Sequence, residues 1–157
     1  MIFLVEDAPH KSLLRSLGIP RKHILPMGSK GNVIKKLKDR PGDVGIVDED
    51  PSSIQTQSRE LANYQVIETG EGLQLLARRG SGGQRLIVLC PIVENWLIDR
   101  AGTCRIDPKQ YHLPSTAKEL KELLHYEEKE WFRRFLSELT DRDIGLLRRW
   151  VVQGENP

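Results

Sequence analysis

Ile2-Phe3-Leu4-Val5-Glu6-Asp7, answered later in the chain by Asp43-Val44-Gly45-Ile46-Val47-Asp48-Glu49-Asp50, decides how this protein is read. Each is a short apolar run that closes on carboxylates. Runs of this kind suit buried strands of a parallel sheet, and open α/β sheets gather their ligands at the carboxyl ends of the strands. Glu6, Asp48 and Asp50 are therefore expected to meet in one crevice. Asp48 and Asp50 stand two apart, so an extended backbone points both side chains to one side, at a spacing that suits a hard cation.

Working outward, Ala8 to Leu17 carries Leu13, Leu14 and Leu17 at helical spacing and is stopped by Gly18-Ile19-Pro20. His23 to Met27 reads as a second strand and Gly28 to Gly31 as a turn. A helix follows from Asn32 to Lys38, and Pro41-Gly42 ends it. This β-α-β-α-β order with short links predicts a parallel sheet with right-handed crossovers. Residues 51–58 are polar and read as a loop. Tyr64 to Thr69 and Leu73 to Arg78, joined by Gly70-Glu71-Gly72, read as a hairpin, and Arg85 to Cys90 as a last strand. From Pro91 the period turns helical: Ile92 to Asp99, then Ala117 to Leu139 with a break near His125, then Asp141 to Val152. Thr116 with Glu119 is a capping-box signature, and Thr140 with Asp143 a weaker one.

At 157 residues the chain fits a single domain able to bury a full core, and nothing in it needs a disulfide staple. Cys90 and Cys104 form no C-x-x-C pair, which suits a reducing cytoplasm. The apolar stretches are too short to span a bilayer and no basic leader precedes the first strand, so no membrane partner and no export are expected. The net charge of +2 makes bulk attraction to nucleic acid weak, and any such binding must rest on local clusters. The nearest cluster is Arg21-Lys22 with Lys30, Lys35, Lys36, Lys38 and Arg40. Within it, Gly28, Ser29, Lys30 and Gly31 open a helix whose backbone N–H groups can hold a phosphate, with Lys35 and Lys36 extending the grip along a nucleic-acid backbone. No Walker loop is present. The histidines show no paired spacing, which disfavours zinc.

Val5-Glu6 after the first strand, the Gly28 to Asn32 turn, and Val47-Asp48-Glu49-Asp50 after the third strand together resemble the Toprim domain. That domain is shared by type IA and II topoisomerases, bacterial primases, maturation ribonucleases and nucleases of the overcoming-lysogenization-defect type. The resemblance covers residues 1 to about 90. It implies a Rossmann-like α/β fold with a mostly parallel central sheet, followed here by a helical extension over 91–157. It also implies that Glu6 is the general acid/base and that Asp48 and Asp50 bind Mg²⁺, with Mn²⁺ as substitute. Pro91 to Asp99 resembles an E-x-W-L segment of small Toprim-like proteins, which makes Glu94 a further candidate metal ligand. In two places the sequence departs from nuclease members, which read Val-Glu-Gly with an acid three residues on: Asp7 replaces the glycine, and His10 lies four residues past Glu6.

Val5-Glu6-Asp7-Ala8-Pro9 with Val47-Asp48 also resembles a two-component receiver, in which Asp48 would accept a phosphoryl group. However, Arg85 to Pro91 lacks the lysine that receivers place there. The expected function is thus Mg²⁺-dependent phosphodiester chemistry on DNA or RNA, most simply hydrolysis by a nuclease. The alternative from another class is a non-catalytic module of the same fold that binds nucleic acid or a protein partner.

Overall fold

Phe3–Val5, Ile24–Pro26 and Val44–Asp48 form strands β1, β2 and β3, connected by helices α1 (Ala8–Ser16) and α2 (Lys30–Leu37). The computed structural model describes residues 1–50, 59–142 and 144–153. The polar stretch 51–58 expected as a loop lies outside the described residues. Strands β4 (Tyr64–Gly70), β5 (Leu73–Arg78) and β6 (Arg85–Leu89) complete a sheet of order β2-β1-β3-β6-β5-β4. β1 pairs in parallel with β2 and β3, and β3 with β6, whereas β5 and β4 run antiparallel at one edge. The β4–β5 turn has left-handed backbone at Glu71 (φ 55°) and Gly72 (φ 73°), as a tight hairpin requires.

Alternation along the strands builds two cores. Phe3, Val5, Ile46, Ile87 and Leu89 face a layer made by α1 and by α3 (Val93–Thr103), α5 (Glu130–Asp141) and α6 (Leu146–Gln153). Leu4, Val47, Leu86 and Val88 face α2 on the other side, through Val33, Ile34 and Leu37. The architecture is therefore α/β with a mostly parallel open sheet between helices, and the C-terminal helices share one apolar cluster with the strands. Among the described residues no helix is long and apolar enough to cross a membrane.

Two readings of the helical half need correction, while a third holds. The break expected near His125 divides the Ala117 to Leu139 stretch into α4 (Ala117–Glu122) and α5, where Leu123 is extended and His125 is left-handed at φ 54°. The break turns Tyr126 into the core against Phe132 and leaves Leu123 and Leu124 exposed. Thr140 does not cap a helix; it lies inside α5 and its hydroxyl donates to the Leu136 carbonyl at 2.9 Å. The last helix starts at Leu146 rather than Asp141, and Asp143 lies outside the described residues. By contrast, the Thr116 side chain does accept from the Glu119 N–H at 3.3 Å, as its capping signature requires.

Candidate metal centre

Because β1, β3 and β6 are parallel neighbours, their carboxyl ends open on one edge of the sheet. Glu6 leaves β1 there, Asp48 closes β3 there, and α3 begins there with Glu94 in its first turn. The edge is also where the strand order reverses between β1 and β3, the usual crevice of open α/β sheets.

A hydrogen-bonded chain organises this crevice. The Asp48 backbone N–H donates to Glu6 Oε2 at 2.8 Å, tying the two strand ends together through a side chain. Asp48 Oδ1 lies 2.8 Å from His10 Nε2 and accepts from the Val93 N–H at 2.9 Å, so the same oxygen also fixes the start of α3. His10 Nδ1 lies 2.5 Å from Asp7 Oδ1. Asp7 precedes α1, yet its carboxylate makes no helix-capping bond; it is turned to His10 instead. The ring of His10 is fully buried, whereas Asp7 is about half exposed.

Electrostatics follow from that geometry. Burial alone would push the His10 pKa down, but the hydrogen bonds from Asp48 and Asp7 outweigh it and raise the value to about 10. Burial holds the Glu6 carboxyl above the usual range, opposed by the Asp48 N–H, with the Asp48 charge raising it further. Glu94 is raised in the same way, by burial first and then by the charges of Asp48 and Asp7. Glu94 is 7% exposed and its Oε2 has no hydrogen-bond partner. Tyr126 lies behind it, a buried phenol pushed up by burial and by the Glu94 charge.

One ligand atom each from Glu6, His10 and Asp48 lies within 4.8 Å of the other two, so this cluster can hold a metal ion. The separation of 2.8 Å between His10 Nε2 and Asp48 Oδ1 is close to the roughly 3 Å between adjacent ligands of an octahedral ion bonded at about 2.1 Å. The Asp7 contact at Nδ1 is the carboxylate–imidazole arrangement that commonly orients a metal-binding histidine. Glu94 Oε2 makes no hydrogen bond of good geometry and is a further oxygen donor, with the buried Tyr126 hydroxyl as its competing neighbour.

The sequence-derived residues fall in different places. Glu6 and Asp48 come together with His10; Glu94 is outside that group, in the first turn of the helix whose start is fixed by the Val93 N–H bond to Asp48. Asp50 is not part of that three-residue group: the chain leaves extended geometry there at φ 46°, so the argument that would aim it with Asp48 does not apply, and its N–H donates to the Pro91 carbonyl. Ser29 caps α2 by accepting from the Asn32 N–H at 3.1 Å, Lys30 and Gly31 form its first turn, and Gly28 is left-handed at φ 85°. The Lys30 ammonium donates to the Glu49 carbonyl at 2.9 Å, which places this turn at the same sheet edge but commits the charge to backbone. Lys35 and Lys36 are exposed on α2. Tyr126 was not singled out in the sequence, and Asp7 and His10 were noted as departures from the nuclease pattern without the pairing that the structure gives them. The available signal was Asp7-Ala8-Pro9-His10, an acid and a histidine three apart in the first turn of a helix, where such residues are neighbours.

No protein-family model, curated protein or solved structure matches this chain.

Proposed function

We propose that the protein carries out Mg²⁺-dependent phosphodiester hydrolysis on nucleic acid, as a nuclease of Toprim type, with Mn²⁺ able to substitute. The observation that carries this reading is the convergence of Glu6 and Asp48, from separate parallel strands, with buried His10, at the sheet edge where the Val93 N–H bond to Asp48 also starts the helix that carries Glu94. Asp48, Glu94 and His10 would hold the ion. For His10 this requires loss of the Nε2 proton, with Nδ1–H kept on Asp7. A divalent cation bound there supplies polarisation of a phosphate oxygen and acidification of water. Glu6 has one oxygen held by the Asp48 N–H, which orients the carboxylate and leaves the other free to carry a proton to or from the reacting group. Its raised pKa brings it toward the working range of a general acid/base. Asp7 positions His10, and Asp48 positions α3 together with Glu94.

One observation favours the module reading. As protonated imidazolium, His10 satisfies both Asp7 and Asp48 by itself and so can take the place of an ion. The receiver reading has less support, because beyond β6, the parallel neighbour of β3, the sheet continues in the antiparallel strands β5 and β4 where a 2-1-3-4-5 doubly wound sheet stays parallel.

Labelled DNA and RNA strands incubated with the protein and Mg²⁺ or Mn²⁺ separate the readings. The expected result is cutting that EDTA abolishes and that Asp48→Asn and Glu94→Gln each lower by about 10-fold to 100-fold. A wild-type protein that never cuts with either ion, or an Asp48→Asn variant that cuts like wild type, removes the nuclease.

A further inference from the structure

A groove of about 660 Å³ between α1 and α5 includes Ala8, the residue after Asp7, in its lining. Its α1 wall is one helical face, with Lys11 and Arg15 four residues apart, and its α5 wall is another, with Arg133 and Ser137. Arg21 also lines it. Four cationic side chains thus face two acidic ones, Glu127 and Glu128 on the short 3₁₀ turn Tyr126–Glu128. Arg134, Arg142 and Arg149 are taken by acids, whereas Lys11, Arg15, Arg21 and Arg133 form no ion pair among the described residues; Arg15 donates from one guanidinium nitrogen to the Ile19 carbonyl at 3.1 Å and keeps its other N–H groups.

We propose that this groove binds the sugar–phosphate backbone of a single nucleic-acid strand and leads it to the crevice holding Glu6, His10 and Asp48. Lys11 and Arg15 are one turn apart, about 6 Å at 1.5 Å per residue, a repeat that matches successive phosphates of an extended strand. Excess positive charge in a groove attracts a polyanion and focuses the field along its length. Glu127 and Glu128 sit on one wall and push the backbone toward the α1 side. The groove also contains serine hydroxyls, Ser12 and Ser137, that can donate to phosphate oxygens. This track lies away from the α2 turn expected from sequence, whose Lys30 is held by Glu49.

The inference rests on the nucleic-acid reading above, and its test is made in EDTA so that cutting plays no part. Binding of a short fluorescein-labelled single strand is followed by anisotropy across a salt series. Variants are Lys11→Ala/Arg21→Ala/Arg133→Ala and, as a control of equal charge, Lys109→Ala/Lys118→Ala/Arg134→Ala. The groove variant is expected to bind at least about 10-fold more weakly, and its slope of log affinity against log salt is expected to flatten by about 2, three contacts at roughly 0.7 each. The control is expected to keep the wild-type slope. Single substitutions at Lys11 or Arg133, each flattening the slope by roughly 0.7, carry the test should the triple variant unfold.

Equal losses in both triple variants, or wild-type protein that binds no strand, overturn the proposal. Tighter binding of polyglutamate than of nucleic acid overturns it in favour of an acidic protein partner. A protein that binds through this groove in EDTA yet never cuts with metal keeps the groove and loses the nuclease. One that cuts with metal but binds independently of these cations does the reverse.

Discussion

Asp7 directly follows Glu6, and the structure gives that acid a use. It forgoes capping α1 and clamps His10, so that one imidazole links the chain before α1 to the end of β3. The linkage has a definite pH signature. An ordinary histidine titrates near 6.5, and His10 is raised to about 10 in the fold. A raised pKa means that the folded state binds the proton more tightly than the unfolded one, so the contribution is fully present below pH 6.5 and is lost as pH climbs toward 10. In EDTA, the stability margin of wild type over His10→Gln is therefore expected to shrink between these limits, by at most about 1.4 kcal/mol per pH unit. Urea titrations at a series of pH values measure it. A margin that is flat or grows with pH contradicts the buried imidazolium. Sequence reasoning reached Glu6 and Asp48 because acids at the ends of apolar runs are visible in one dimension. It could not reach the role of His10, because the partner that gives it meaning, Asp48, lies 38 residues away.

At the scale of elements, the close fit of α2 on β3 depends on a missing side chain. A Cβ at Gly45 would lie 2.8 Å from Leu86 Cδ1 and 2.8 Å from Val33 Cγ1, both inside contact distance. Gly45→Ala is expected to destabilise by about 1–3 kcal/mol through overpacking, seen as a lower urea midpoint with an unchanged slope. An unaltered midpoint would show that the helix can move off the strand without cost. The strands and the first two helices were legible because period and punctuation agree: alternate or continuous apolar runs, then Gly and Pro. The α4–α5 break was only half legible. Leucines 123 and 124 continue the apolar stripe on paper, but burying Tyr126 against Phe132 sends the chain out of the helix just before it.

For the molecule as a whole, the strands and the C-terminal helices are not separable. Phe3, Val5, Ile46, Ile87 and Leu89 belong to the same cluster as Trp96, Phe132, Phe135, Leu147 and Trp150. The last helix is also tied to the hairpin: Trp150 Nε1 donates to Glu68 Oε2 at 2.7 Å, Arg149 pairs with Glu68, and the Leu146 N–H donates to Glu71 Oε2 at 2.9 Å. A chain ending at residue 90 would leave one face of the sheet covered by α1 alone, a loss that marginal domain stability cannot absorb. It is expected to show no cooperative urea transition by circular dichroism, while the full chain shows one. A cooperative transition in the shorter chain would mean that the first ninety residues fold on their own.

Local chemistry determined the sheet-and-helix order, the hairpin, the Thr116 cap and the acids at the strand ends, since each depends on neighbours within a few residues. Tertiary structure alone decided which acids meet. Pairing β3 with β6 carried Glu94 to Asp48, left-handed backbone took Asp50 out of register, and packing α1 on the sheet drove His10 between two carboxylates. Those outcomes turn on contacts between segments far apart in the chain, whose energies no local pattern encodes.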